Sequence, residues 1–168
     1  HPDYIREAYH LGMTRIFLPE LDAAFETAQN NPHHCYTVGE HLMHCMLYTE
    51  SDKSMRIAAL LHDIGKPVTK TTDEQGIDHF HGHAGVGEEM AARILRRLKF
   101  DNDTITHVRK LVKYHDYPIE TTPRAVRRAI NTIGETYFSD VLAIKKADMM
   151  AQSTYQRQEK EDHLAQVE

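Results

Sequence analysis

The chain has no tryptophan, five phenylalanines and two cysteines among its 168 residues. Cys35 and Cys45 form no CxxC pair, which excludes a disulfide scaffold and a zinc ribbon. Long apolar runs are missing too: the strongest, Ile57 to Leu61, falls far short of a bilayer span. No basic stretch followed by an apolar one opens the chain, so the expected setting is the cytoplasm, with no membrane partner. Internal repeats, low-complexity tracts and Gly/Ser linkers are absent, which leaves one compact unit. Positive charge is short: 20 Lys and Arg stand against 25 Asp and Glu, a net charge of −5. That balance argues against a broad surface for coating nucleic acid. Apolar residues at 40% and charged residues at 27% are otherwise ordinary for a globular protein.

What is abundant is histidine, 13 in all. Imidazole is the commonest metal ligand and a frequent acid–base group, so placement decides its meaning. Apolar residues recur mostly at helical spacing, which predicts helices near 3–12, 19–29, 37–49, 53–63, 84–99, 102–115, 123–133, 136–151 and 155–167. Asp101 or Asn102 is the expected N-cap of the 102–115 helix. Gly65 and Pro67 read as a helix stop. Around residues 68–80 the pattern changes. Thr69, Thr71 and Thr72, a turn at Asp73 to Gly76, and Ile77 to Phe80 predict a small β-hairpin. The expected fold is therefore all-α, a helical bundle with that hairpin as an excursion. The chain starts at His1 rather than Met and stops inside a charged run, Arg157 to Glu168. It is expected to be a piece of a longer protein.

His62-Asp63 closes a helix that runs Ile57 to Leu61 without a polar residue. An imidazole and a carboxylate buried there need partners, and a divalent cation is one. His41 lies on or beside the apolar stripe of its helix, three residues after Val38 and four before Cys45. Asp148 continues the stripe of Val141 and Ile144, where a carboxylate needs compensation. His115 extends the stripe of Ile105, Val108 and Val112. His83 opens the next helix beside Ala84 and Gly85. Each residue alone is more often a satisfied core or capping group than a ligand. Six of them on inner faces or at helix ends form a mixed nitrogen–oxygen set suited to metal.

His41, His62-Asp63 and Asp148 together resemble the H…HD…D signature of the HD-domain metal-dependent phosphohydrolases. The stretch Ala59 to Lys66 (Ala-Leu-Leu-His-Asp-Ile-Gly-Lys) is a close likeness of that family's central motif. The resemblance implies an HD-type bundle in which His41, His62, Asp63 and Asp148 hold one divalent ion. It further implies that Asp63 bridges to a second ion held by His83 and His115. Mn, Fe, Co, Ni, Zn and Mg all suit such ligands. A narrower likeness runs along Leu18-Pro19-Glu20-Leu21, His33-His34, Tyr36 to His41, His79 to Gly87 and Ile94 to Leu98. These resemble the HD region of bacterial CCA-adding tRNA nucleotidyltransferases. That family's glycine-rich nucleotide-binding turn and paired catalytic aspartates are absent from this sequence. In some of its members the HD region hydrolyses phosphoesters, including 2′,3′-cyclic nucleotides.

The expected function is thus hydrolysis of a nucleotide or related phosphoester by a mono- or binuclear centre. Paired cations would supply a nucleophile near neutral pH and neutralise the phosphate. Asp63 would set their spacing, and is with Lys66 the expected catalytic pair. Lys66 reads either as a contact to a substrate phosphate oxygen or as a solvated loop lysine. His79 and His81 are expected to border the substrate opening. The other reading makes the chain the helical body of a tRNA nucleotidyltransferase, with tRNA as partner. Arg93, Arg96, Arg97 and Lys99, and separately Arg124, Arg127 and Arg128, share helix faces. They are read as solvated faces, with RNA phosphate contact as the alternative. Residues 1–34 are expected to be a helical extension packed on the bundle, and 35–168 the HD domain itself. Cys45 and Met43, Met46, Met90, Met149 and Met150 read as core filling.

Overall fold

The structure, a computed structural model, describes residues 1–30, 35–153 and 157–167. Helices dominate it: α1 (Pro2–His10), α2 (Thr14–Phe17), α3 (Pro19–Glu26), α4 (Val38–Tyr48), α5 (Lys53–Leu61), α6 (Lys66–Thr69), α7 (His83–Arg97), α8 (Asn102–Tyr114), α9 (Pro123–Ile133), α10 (Glu135–Ala151) and α11 (Arg157–Ala165). Between α6 and α7, β1 (Thr71–Thr72) and β2 (Asp78–His79) pair antiparallel, Thr71 opposite His79 and Thr72 opposite Asp78. The all-α bundle with its one small hairpin is the expected fold. No helix among the described residues is long and apolar enough to cross a membrane.

Local chemistry sets the helix starts. Thr37, Asp52, Asp101 and Thr122 are N-caps, each accepting a backbone N–H three residues on, at 3.3, 2.9, 2.8 and 3.2 Å. Asp101, rather than Asn102, is the cap of α8. The helix stops ahead of Gly65 and Pro67 as expected, and Pro67 also belongs to the start of the next helix. It sits in the first turn of α6, where its missing N–H costs no hydrogen bond and its fixed φ favours a helix. The predicted 53–63 helix ends at Leu61, and His62 to Gly65 turn the chain towards α6. The four-residue helices α2 and α6 are too short to show a periodic stripe, and periodicity misses them. His33 and His34, the predicted domain edge at 34, and residues 155–156 of the last predicted helix lie outside the described residues.

α10 is the hub of the bundle, packing against α4, α5, α8, α9 and α11. Its buried residues, Val141, Leu142, Ile144, Ala147, Met149 and Ala151, lie around most of its circumference. Such a helix belongs inside a bundle rather than on its surface. α7 lies along α8, while α1 and α3 cover α4. Cys45, Met43, Met46, Met90 and Met149 are buried in the core, and Met150 packs partly buried against it.

One close approach fixes where the turn after α5 meets α7. A Cβ on Gly65 would run into the His83 carbonyl oxygen and come within 2.8 Å of the Gly87 amide nitrogen. Gly87 in turn leaves only 3.3 Å between its own would-be Cβ and Val112 Cγ1. Backbone neighbours cannot swing aside as a long side chain can, so the Gly65 contact demands glycine. Gly65→Ala should therefore destabilise the protein by about 1–3 kcal/mol, read as a lower urea midpoint. Gly85→Ala is the control: it sits in α7 with open space around it. It should gain about 0.5–1 kcal/mol from helix propensity. Equal effects of the two would mean that the close approach does not constrain the chain.

Candidate metal centre

Four helices and one turn bring the predicted ligands together. α4 carries His41, the turn after α5 carries His62 and Asp63, α7 opens with His83, α8 ends before His115, and α10 carries Asp148. His41, His62, Asp63 and His115 are at most 3% exposed, and Asp148 and His83 are half-buried. Two donor sets result, each with its atoms within 4.8 Å of one another: His41, His62, Asp63 and Asp148, and Asp63, His83 and His115.

Asp63 belongs to both sets, and its two oxygens divide between them. Oδ2 lies 3.5 Å from His41 Nε2 and 3.4 Å from His62 Nε2. Oδ1 lies 3.3 Å from His83 Nε2 and 3.5 Å from His115 Nε2. On the first side, Asp148 Oδ1 is 2.8 Å from His41 Nε2 and 3.7 Å from His62 Nε2. A carboxylate arranged this way can bridge two cations.

Three of the histidines are oriented by the same device. His62, His83 and His115 each place Nδ1 against the carbonyl three residues earlier: Ala59 at 2.9 Å, Phe80 at 2.8 Å and Val112 at 2.7 Å. A carbonyl only accepts, so each Nδ1 carries a proton and each ring turns its Nε2 inward. His83 Nε2 and His115 Nε2 then face each other at 3.2 Å, and His62 Nε2 lies 3.3 Å from His41 Nε2. Two lone pairs at that distance repel unless a proton or a cation sits between them. Asp148 Oδ1 is shielded from solvent and has no aligned hydrogen-bond donor among the described residues, whereas its Oδ2 accepts from Gln152 at 3.1 Å. Convergent Nε2 atoms around the carboxylates of Asp63 and Asp148 fit a divalent cation in each set.

The electrostatics point the same way. Burial pushes the Asp63 carboxyl up, but the Lys66 ammonium and His62 outweigh it and hold it well below the usual carboxylate range. Asp148 is likewise held well below, the contacts with His41 and His62 overcoming its burial. Burial lowers His62, yet Asp63 and its other neighbours raise it well above the usual imidazole value. His83 stays lowered, its burial outweighing Asp63. Both carboxylates are thus held ionised among imidazoles.

Lys66 is 5% exposed, which removes the solvated reading. Its Nζ lies 2.7 Å from Asp63 Oδ2 and donates to Gln29 Oε1 at 2.8 Å. Asp63, Lys66, His83, His115 and Asp148 open onto a cavity of about 980 Å³ between the hairpin and α11. His79 and His81 line it with parallel rings 5.6 Å apart, and His79 Nε2 is 2.7 Å from Asp73 Oδ2. Sequence reasoning missed Gln29, Lys145 and Lys160 around this space. Only Lys145 left a trace, one turn before Asp148 on α10. Of the basic faces, Arg97 pairs with Glu20 at 2.8 and 2.6 Å and so is not simply solvated. Arg93, Arg96, Arg124, Arg127 and Arg128 are exposed.

A family model described as HD domain matches residues 33–166. The chain is 34% identical over 146 residues to an A-adding tRNA nucleotidyltransferase of Deinococcus radiodurans, covering 84% of this chain and 33% of that protein. It is 31% identical over 160 residues to a CC-adding tRNA nucleotidyltransferase of Thermus thermophilus, covering 92% and 36%. A multifunctional CCA protein of Actinobacillus pleuropneumoniae is 24% identical over 171 residues, covering 93% and 41%. The chain thus spans about a third of the length of the first two relatives.

The hairpin wall of the cavity hangs on Asp78. It pairs with Lys70 at 2.8 Å and accepts from the Asn30 N–H and the Thr72 hydroxyl, both at 2.7 Å. Lys70 foremost, with those donors, holds its carboxyl down from 3.8 to about 2. A depressed carboxylate stabilises the fold above its unfolded pKa, and that contribution fades as pH falls from 3.8 to about 2. The Asn30 amide resonance should therefore titrate with a midpoint near 2 and lose that transition in Asp78→Asn. A midpoint at 3.8 would mean that the tie does not form in solution.

Proposed function

The chain belongs to the HD-domain family, and from that premise we propose that it is a metal-dependent phosphohydrolase acting on a nucleotide or related phosphoester. The observation that carries the proposal is Asp63, whose two oxygens are shared between two pairs of imidazole nitrogens. His41, His62, Asp63 and Asp148 would hold one divalent ion, and Asp63, His83 and His115 a second. Bound there, the ions supply Lewis acidity towards a phosphate and a nucleophile at neutral pH.

The chain's own groups do the rest. Buried imidazoles with their Nδ1 protons committed to carbonyls keep their Nε2 atoms aimed without further reorganisation. Asp63 fixes the separation of the two donor sets and offers an oxygen to an attacking water. Lys66 balances the Asp63 charge and brings positive potential to the cavity floor beside an incoming phosphate. His79 and His81, on the hairpin wall, are the proposed contacts to the remainder of the substrate. A cavity of about 980 Å³ has room for a nucleotide. A cytoplasmic setting, in which the unpaired Cys35 and Cys45 stay reduced, belongs to the same reading. So does the division into residues 1–34 as a helical extension and 35–168 as the HD domain.

A second reading is favoured by the relatives named tRNA nucleotidyltransferases. In it the chain is the helical body of such an enzyme, and tRNA is its partner. The exposed Arg124, Arg127 and Arg128 would then meet RNA phosphates.

Turnover of 2′,3′-cyclic AMP, a 2′-nucleotide and bis-p-nitrophenyl phosphate with Mn²⁺, Co²⁺, Ni²⁺ or Mg²⁺ separates the two. Hydrolysis that chelator abolishes, and that Asp63→Ala lowers by at least about a thousandfold, is the expected result. No turnover with any metal, together with tRNA binding that weakens steeply with salt, favours the second reading. His115→Ala should weaken one ion of two; if both still bind as in the wild type, the binuclear centre is wrong.

A further inference from the structure

Lys145 has a part that neither the motif nor the donor sets assign. It stands on α10 one turn before Asp148, half-buried, at the cavity wall. Its Nζ donates to the carbonyls of His115 and Tyr117, each at 3.0 Å. These carbonyls lie just past α8, where the chain turns back with the Tyr117 N–H on the Tyr114 carbonyl at 3.0 Å. The carbonyl of His115, the C-cap of α8, has no donor within the helix and lies at its negative end, so an ammonium there satisfies both needs, while the bond to Tyr117 ties in the turn that follows. Burial pushes the lysine below its usual range, with Asp116 and Asp148 opposing that fall. A lysine buried at a cost, with two of its three N–H groups spent on backbone, is holding something in place.

What it holds is the end of α8 that presents His115. Within its own helix the His115 ring is tied only by Nδ1 to Val112. Its Nε2 must stay 3.2 Å from His83 Nε2 and 3.5 Å from Asp63 Oδ1 for the second donor set to exist. A rotation of the 115–117 turn would carry the ring away from both. We propose that Lys145 is a positioning residue for the His83–His115 half of the centre, clamping the end of α8 and linking it to the helix that carries Asp148. The proposal rests on the two-ion reading above.

The test compares wild type, Lys145→Met and Lys145→Arg after metal removal. Titration calorimetry with Mn²⁺ or Co²⁺ is read beside amide hydrogen exchange of the metal-free proteins. Lys145→Met should bind the first ion within about threefold of wild type and the second about 10–100-fold more weakly, the usual loss when a ligand's outer support is removed. The Tyr117 amide should exchange at least about tenfold faster, and Lys145→Arg should recover part of both changes. Equal weakening of both ions would mean general loosening of the bundle and would overturn the proposal. So would a raised KM with unchanged metal affinity, which would make Lys145 a substrate contact. If Lys145→Met does not fold, Lys145→Gln, which keeps one donor pair, is read in the same way. A wild type that takes up a single ion overturns the two-ion reading and this proposal together. Unchanged Tyr117 exchange beside a two-ion wild type overturns Lys145 alone.

Discussion

Everything in this bundle is arranged around a carboxylate drawn almost wholly out of bulk solvent. Asp63 is 2% exposed, and a charge so placed costs on the order of several kcal/mol unless opposite charge and hydrogen bonds surround it. The chain meets that demand from every side: Lys66 from the following helix, His41 from α4, His83 from α7 and His115 from the end of α8. These elements are far apart in sequence, so satisfying one side chain requires most of the bundle to be assembled. Folding and construction of the site are here the same event. A helix that failed to dock would leave Asp63 short of a partner, and the unmet charge would oppose the misassembled state.

The N-terminal helices take part in this more than a covering layer would. Gln29, just beyond α3, accepts from Lys66, and Asn30 exchanges hydrogen bonds with Asp78 on the hairpin. The wall and the floor of the cavity are therefore both tied to the segment before α4. Changes in that segment reach the site through two short polar links rather than through the core.

Much of the site was legible before the structure. Polar residues on apolar stripes are costly, which singles out His41, His62, Asp63, His115 and Asp148 as a set, though each alone is more often a satisfied core group and the likeness to the HD family is what joins them into one candidate centre. The hairpin announced itself by threonines flanking a turn, and Asp101 by its place before a periodic run. What stayed hidden depends on the path of the folded chain. Lys66 reads equally as a phosphate contact or a solvated loop lysine, because nothing nearby in sequence indicates that Gln29 and Asp63 enclose it. Lys145 makes its bonds to carbonyls, and carbonyls have no signature in a sequence. Pro67 correctly marks where one helix has ended, but the sequence hides that the same fixed φ starts the short α6. Pattern reading sees side-chain type and period, and misses contacts whose other half is main chain or is brought up from elsewhere in the chain by the fold.

The three carbonyl-anchored imidazoles carry a consequence for how such a centre varies. Ring orientation and tautomer at His62, His83 and His115 are set by the main chain of their own elements, at Ala59, Phe80 and Val112. No partner side chain has to co-vary with them, since every residue type carries a carbonyl. The surrounding sequence is therefore free to drift while the donors keep their aim, provided that the turns themselves hold their course. Divergence should accumulate around the histidines and halt at the positions that shape the path, such as Gly65, where a single methyl would collide with the chain.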